Sequence, residues 1–159
     1  MHPFHLFTLQ LAHHLPGTWK TVRRRYPRPA DQSLDLCRVW TPFDARPVLA
    51  GRLHAATLLG PDDLELYLVE HRRDRVLTCP VIPYGLHEDV TDLIPAPPAV
   101  AAPRDPVRAA WRITDRILPH HTAALASARE ATRALKTCRA SAPAPLPAPA
   151  AGTFRAPAR

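Results

Sequence analysis

The spacing of apolar residues changes period several times along this chain, and each change marks an element. Phe4, Phe7, Leu11 and Leu15 fall on a helical stripe, although Phe7, Leu9 and Leu11 also alternate with Thr8 and Gln10 as a strand would. Pro3 suits a first helical turn and Pro16-Gly17 supplies a stop, so the pattern predicts an amphipathic helix from Pro3 to Leu15. Thr18 to Gln32 is basic and broken by Pro27 and Pro29, which predicts an exposed connection. Leu34, Leu36, Val39 and Trp40 make a short apolar stretch ending at Pro42, compatible with either a short helix or a strand. Asp44 is placed to cap a brief helix over Ala45 to Ala50, with Gly51 as its stop.

The period then falls to two. Leu53 to Leu59, Leu64 to Val69 and Val76 to Ile82 are apolar runs separated by Gly60-Pro61-Asp62-Asp63 and by His71-Arg72-Arg73-Asp74, and both separators have turn chemistry. Leu64, Leu66 and Leu68 oppose Glu65, Tyr67 and Val69, as expected of a strand buried on one face. Connections this short allow only antiparallel pairing, so three strands form a meander, with Pro80 at an edge or a bulge.

After Pro83-Tyr84-Gly85, Leu86, Val90, Leu93 and Ile94 have helical spacing. Residues 95 to 104 hold prolines at 95, 97, 98 and 103 and should run extended over the surface. Asp105 as N-cap and Pro106 in the first turn then open a helix to Leu118, whose inward face should be Val107, Ala110, Trp111, Thr114, Ile117 and Leu118. Pro119 breaks or kinks it. A second helix follows from about 120 to 138, where Leu118, His121, Leu125, Ala128, Thr132 and Leu135 recur at spacings of three and four. Packing within the chain is the expected use of that stripe, and a seam between copies in a homo-oligomer is the alternative. From Ser141 onward, prolines at 143, 145, 147, 149 and 157 stand among alanines with nothing to bury, which predicts a disordered basic tail over 140–159.

The expected architecture is therefore α+β: a three-stranded antiparallel meander packed against N-terminal and C-terminal helices. At 159 residues the chain suits one core, a single domain over 1–139 that includes the basic connection at 18–32 and the Pro-rich connection at 95–104. Composition changes little in this picture. The 20 prolines and the heavy preference for Arg over Lys reflect base-composition bias as much as structure.

Charge changes more. The net charge of +7 suggests a polyanion partner until it is divided along the chain. Residues 1 to 30 carry five cations and no acid, residues 31 to 128 carry ten cations against thirteen acids, and residues 129 to 159 carry six cations and one acid. The centre is slightly acidic, and the ends are the candidates for contact.

Within the first of those ends, Trp19, Lys20, Arg23, Arg24, Arg25, Tyr26 and Arg28 combine cations that could neutralise phosphates with two aromatics that could stack on bases. A solvated charge run accounts for the same residues without a ligand. No DNA-binding signature accompanies them, because prolines occupy the region where a helix-turn-helix would need its helices.

Other chemistry is thin. Cys37, Cys79 and Cys138 form no C-x-x-C pair, so neither a disulfide framework nor a cysteine zinc site is expected, and the thiols fit a reducing, cytoplasmic setting. Phe4 to Leu15 is interrupted by His5, Gln10, His13 and His14 and lacks a basic leader, so it does not read as a secretory signal, and no stretch approaches a membrane span. The nine histidines give no argued convergence on a metal; His87, with Glu88, Asp89 and Asp92, lacks the second histidine of a zinc helix. No metal and no cofactor are expected.

Nucleophile elbows and phosphate-cradling glycine loops are absent, and Asp62, Asp63 and Glu65 occupy a hairpin turn where Asp is favoured for backbone reasons. No catalytic residue is assigned, so an enzyme is the least favoured class. Pro95-Ala96-Pro97-Pro98 resembles a polyproline ligand no more than the composition itself requires.

Gly60-Pro61-Asp62, Leu66-Tyr67-Leu68-Val69, Ile82-Pro83-Tyr84-Gly85-Leu86 and Asp105-Pro106-Val107-Arg108-Ala109-Ala110 together resemble a loose family of small uncharacterised bacterial proteins. The resemblance spans about half the chain, excludes residues 1 to 30 and the tail, and implies strands followed by a helix but no activity. The expected role is a non-enzymatic interaction or accessory protein whose partner is another protein. The alternative is a nucleic-acid-binding accessory protein that uses the strip at 19–28.

Overall fold

The computed structural model describes residues 1–72, 74–86 and 88–140, so the tail expected over 140–159 lies, from 141 on, outside the described residues. The chain builds one antiparallel sheet from β1 (Lys20–Arg25), β2 (His54–Leu59), β3 (Glu65–Arg72), β4 (Arg75–Pro80) and β5 (Val100–Pro103), in that spatial order. Around it lie α1 (Pro3–His14), α2 (Ser33–Leu36), α3 (Arg46–Leu49), α4 (Glu88–Leu93), α5 (Pro106–Arg116) and α6 (Leu118–Ala140). The α+β class and the central meander match the expectation, but the sheet has five strands where three were expected.

Both added strands are edges, and both were hidden by edge chemistry. β1 falls inside the stretch expected to be an exposed connection, because Lys20-Thr21-Val22-Arg23-Arg24-Arg25 lacks an apolar run. An edge strand needs none, since charged side chains there prevent unwanted pairing. β5 falls inside the Pro-rich connection and pairs with Arg75 to Thr78, with Pro103 at its last position, where a missing N–H is tolerated. Pro80 lies on β4 beyond the reach of β5 and pairs opposite Leu66.

Strand alternation sorts the sheet into two buried faces. Ala56, Leu58, Leu66, Leu68, Val76 and Ala102 point toward α1, α5 and α6, where they meet Phe4, Leu11, Ile113, Ile117 and Leu125. Ala55, Tyr67, Val69, Leu77 and Cys79 point the other way, toward Leu36, Ala45 and Leu49. β3 is therefore covered on both sides, not half-buried as its alternation suggested, because the segment from Tyr26 to Ala50 folds back over the second face.

Hydrogen bonds hold that covering segment. The Gln32 amide donates to the Leu49 carbonyl at 2.9 Å and to the Tyr67 hydroxyl at 2.8 Å. Tyr67 donates on to Tyr26 at 3.4 Å, and Tyr26 donates to the Asp35 carboxylate, which also faces Arg24 at 3.6 Å. Unpaired, these buried groups would each cost on the order of 1–3 kcal/mol. Linked in a chain, they fix how the segment lies on the sheet.

The β2–β3 turn shows how local chemistry sets register. Asp62 and Asp63 both adopt left-handed backbone with φ of 55° and 60°, a conformation Asp tolerates better than most residues. Arg129 of α6 donates to the Asp62 carbonyl and to the Asp63 carboxylate, each at 2.8 Å. The Trp19 ring packs over Gly60 so closely that a Cβ there would lie 2.6 Å from it.

The amphipathic stripe of α6 buries Leu118, His121, Leu125, Ala128 and Thr132 against the body, while Arg133 to Cys138 are exposed. Among the described residues, no helix is long and apolar enough to cross a membrane.

Candidate protein-docking surface

The outer face of α5 departs most from what hydrophobicity predicts. Asp105 caps this helix by accepting from the Arg108 N–H at 2.7 Å, and Pro106 fills the first turn, as the sequence indicates. The rotation of the helix about its axis is different. Ala109, Ala110, Ile113 and Ile117 face the core, while Val107 is 56% exposed and Trp111 is 70% exposed.

Packing distance explains the choice. α5 lies against α1 and β5, with α6 beside it, and small Ala109 and Ala110 let the backbones approach where an indole would hold them apart. Residues 109, 113 and 117 form an i, i+4, i+8 row as regular as the bulkier set that includes Trp111. Ala110 and Ile117 stand on the expected face and are buried, but Ala109 and Ile113 take the inward places expected of Val107 and Trp111, because the Ala109-Ala110 pair marks the side of close contact.

The consequence is two parallel rows on the solvent side. Val107 and Trp111 form an apolar row, and Arg108, Arg112 and Arg116 form a cationic row one position further around the helix. Pro103 joins the arginines to line a shallow depression on one flank of Trp111. His14, Pro16 and Thr114 line another on its opposite flank, where α1 ends. Arg112 also reaches the Ala101 carbonyl at 3.5 Å, and Arg116 sits 2.9 Å from Asp115. An indole left in water beside a row of guanidinium groups has the composition of an interface anchor.

The basic strip is placed differently from a continuous ribbon. Trp19 is 9% exposed, with its indole N–H donating to the Pro16 carbonyl at 2.7 Å, and Tyr26 is 8% exposed, with its hydroxyl on Asp35. Neither ring presents a face to solvent for stacking. The Thr21 hydroxyl donates to the Thr8 carbonyl of α1 at 3.4 Å, whereas Arg24 faces Asp35 across the opposite side of the sheet. Alternation therefore sends Arg23 and Arg25 to one side and Lys20 and Arg24 to the other. Arg28 is paired with Asp31 at 2.9 Å, and Lys20, Arg23 and Arg25 are exposed.

His2 and His5, at the start of α1, meet His54 of β2. His2 stacks on His54 with ring centroids 3.9 Å apart, and His5 meets His54 edge-on at 5.4 Å. Burial, then the neighbouring His54, pushes the His5 imidazole below its ordinary range, and burial followed by His2 does the same for His54. Among the described residues, no group of three His, Cys, Asp or Glu side chains is placed to hold a metal ion. Nor do the carboxylates of the hairpins gather: Asp63 goes to Arg129, and Glu65 to Arg38.

Comparison of the chain with family models, with curated proteins and with solved structures finds no match.

Proposed function

We propose that this protein is a non-enzymatic protein-binding module that grips an acidic partner segment through the outer face of α5, with Trp111 as the apolar anchor and Arg108, Arg112 and Arg116 as the charge-reading row. The observation that carries the reading is the exposure of Trp111 on a helix that buries alanines instead. An indole exposed in the free protein gains contact area on docking, and Trp and Arg dominate interface energetics because they couple large area to directional polar groups. The i, i+4 spacing of both rows matches a partner that sets an aromatic or aliphatic side chain beside a row of carboxylates.

A peptide-display selection against the folded protein tests this. Selected peptides should share acidic residues flanking an apolar one, and Trp111→Ala should weaken them by about 2 kcal/mol, roughly thirtyfold, without changing thermal stability. A selection in which no acidic peptide binds Trp111→Ala more weakly than the parent would overturn it.

The nucleic-acid alternative rests on Lys20, Arg23, Arg25 and Arg28, since the two aromatics are covered. Its signature is steep weakening with salt, removed by changing those cations and indifferent to Trp111.

A further inference from the structure

Among the described residues, β1 is bonded to β2 on one side and to no strand on the other. The Tyr26 N–H donates to the Leu53 carbonyl at 3.0 Å, which fixes the alternation: residues 20, 22 and 24 turn their backbone groups to β2, and Thr21, Arg23 and Arg25 turn theirs outward. A ladder of outward N–H and C=O groups is a template for another strand.

What surrounds this edge defines what would fit it. Leu9, Ala12 and His13 of α1, with Trp19 and Thr21, line a shallow groove along its start, and Leu9 and Leu6 one turn earlier leave much of their side chains in solvent. Further along, Arg23 and Arg25 stand on the α1 side and exposed Lys20 on the other, while Arg24 is held by Asp35. A second copy of this chain is disfavoured by charge, because two-fold pairing would set Lys20, Arg23 and Arg25 against themselves. The same cations attract a strand of opposite sign.

We propose that the outer edge of β1 accepts an extended acidic segment of a partner protein as a sixth strand. Backbone hydrogen bonds at Thr21, Arg23 and Arg25 supply the pairing, an apolar residue rests on Leu9, and carboxylates meet Arg23 and Arg25. This contact uses a different element from the α5 docking face, so each reading stands or falls without the other.

The test uses isotope-labelled full-length protein and the short capped peptide Glu-Thr-Glu-Thr-Val, whose two glutamates and valine fall on one face of a strand, with the lysine counterpart, oligoglutamate and oligodeoxythymidine as comparisons. Amide exchange is followed residue by residue. Saturating Glu-Thr-Glu-Thr-Val peptide should slow exchange at Thr21, Arg23 and Arg25 by roughly tenfold or more, while the comparison ligands leave these three unchanged. Arg23→Pro removes one outward N–H and should abolish the slowing. Arg23→Gln keeps that N–H and should retain the slowing at weaker affinity, which carries the test should the proline variant fail to fold. Absence of slowing with the Glu-Thr-Glu-Thr-Val peptide, equal effects from oligoglutamate or oligodeoxythymidine, or a folded Arg23→Pro that binds like the parent would each overturn the proposal.

Discussion

His121 is fully buried on α6, where its Nε2 lies 3.2 Å from the Val81 carbonyl and its ring meets Trp40 edge-on. Burial drives its pKa down to about 4, and the hydrogen bond to Val81 offsets this only in part. Because the folded value lies below the ordinary 6.5, the fold favours the neutral ring. The stability it contributes is complete above pH 6.5 and is lost as pH falls toward 4, on the order of 3 kcal/mol. His5 and His54 shift in the same direction, so the whole protein should soften in mild acid. Thermal unfolding between pH 7.5 and 4.5 should show a falling midpoint, with a visibly shallower slope in His121→Leu. An unchanged slope in that variant would remove His121 from the explanation.

Only part of this is legible residue by residue. The sequence placed His121 on the apolar stripe of α6, which is where it lies. Nothing in the spacing of His2, His5 and His54 indicated that a helix and a strand would bring their rings together. Gly60 was read as a turn residue, yet its φ is unremarkable, and the pressure on it comes from the Trp19 ring, a tertiary fact.

At the scale of elements, legibility followed burial. The three central strands and α6 carry strong periodic signals because their faces meet a core, while the prolines at 3 and 16 bounded α1 and Asp105-Pro106 opened α5. β1 and β5 escaped because edge strands trade apolar content for charge and proline. The rotation of α5 was missed for a related reason: large apolar residues outweigh alanine in a stripe, although alanine is what close helix packing selects.

Two neighbours on α5 should therefore respond differently to truncation. Ile113→Ala should destabilise the protein by about 2–5 kcal/mol, because it opens a cavity between α5 and the sheet. Trp111→Ala should stay within about 0.5 kcal/mol of the parent. Urea unfolding of the two variants decides it, and the reverse ranking would mean that Trp111, not Ile113, faces the core.

On the scale of the whole molecule, the expected division between a near-neutral body and basic extremities needs redrawing at one end. Residues 3 to 25 supply a packed helix and an edge strand, so the cations of β1 belong to the sheet. The covering segment brings Asp35 to Arg24 and Asp31 to Arg28, which leaves Lys20, Arg23 and Arg25 as the exposed cations of the β1 edge. A second concentration of positive charge, the α5 row, was invisible in the segment totals because the acidic centre masked it. The row becomes apparent only when residues 108, 112 and 116 are wound onto one side of a helix and set beside an exposed indole.

Site-specific photo-crosslinking reports whether that indole and its arginine row meet a partner. A photoreactive residue at position 111, introduced in the full-length protein in its source cells, should yield a discrete crosslinked protein. The product should disappear when Arg108 and Arg112 are changed to Glu, and it should not form from the still more exposed position 34. Crosslinks from 111 that match those from 34, or that survive the charge reversal, would contradict the assignment of α5 as the docking face.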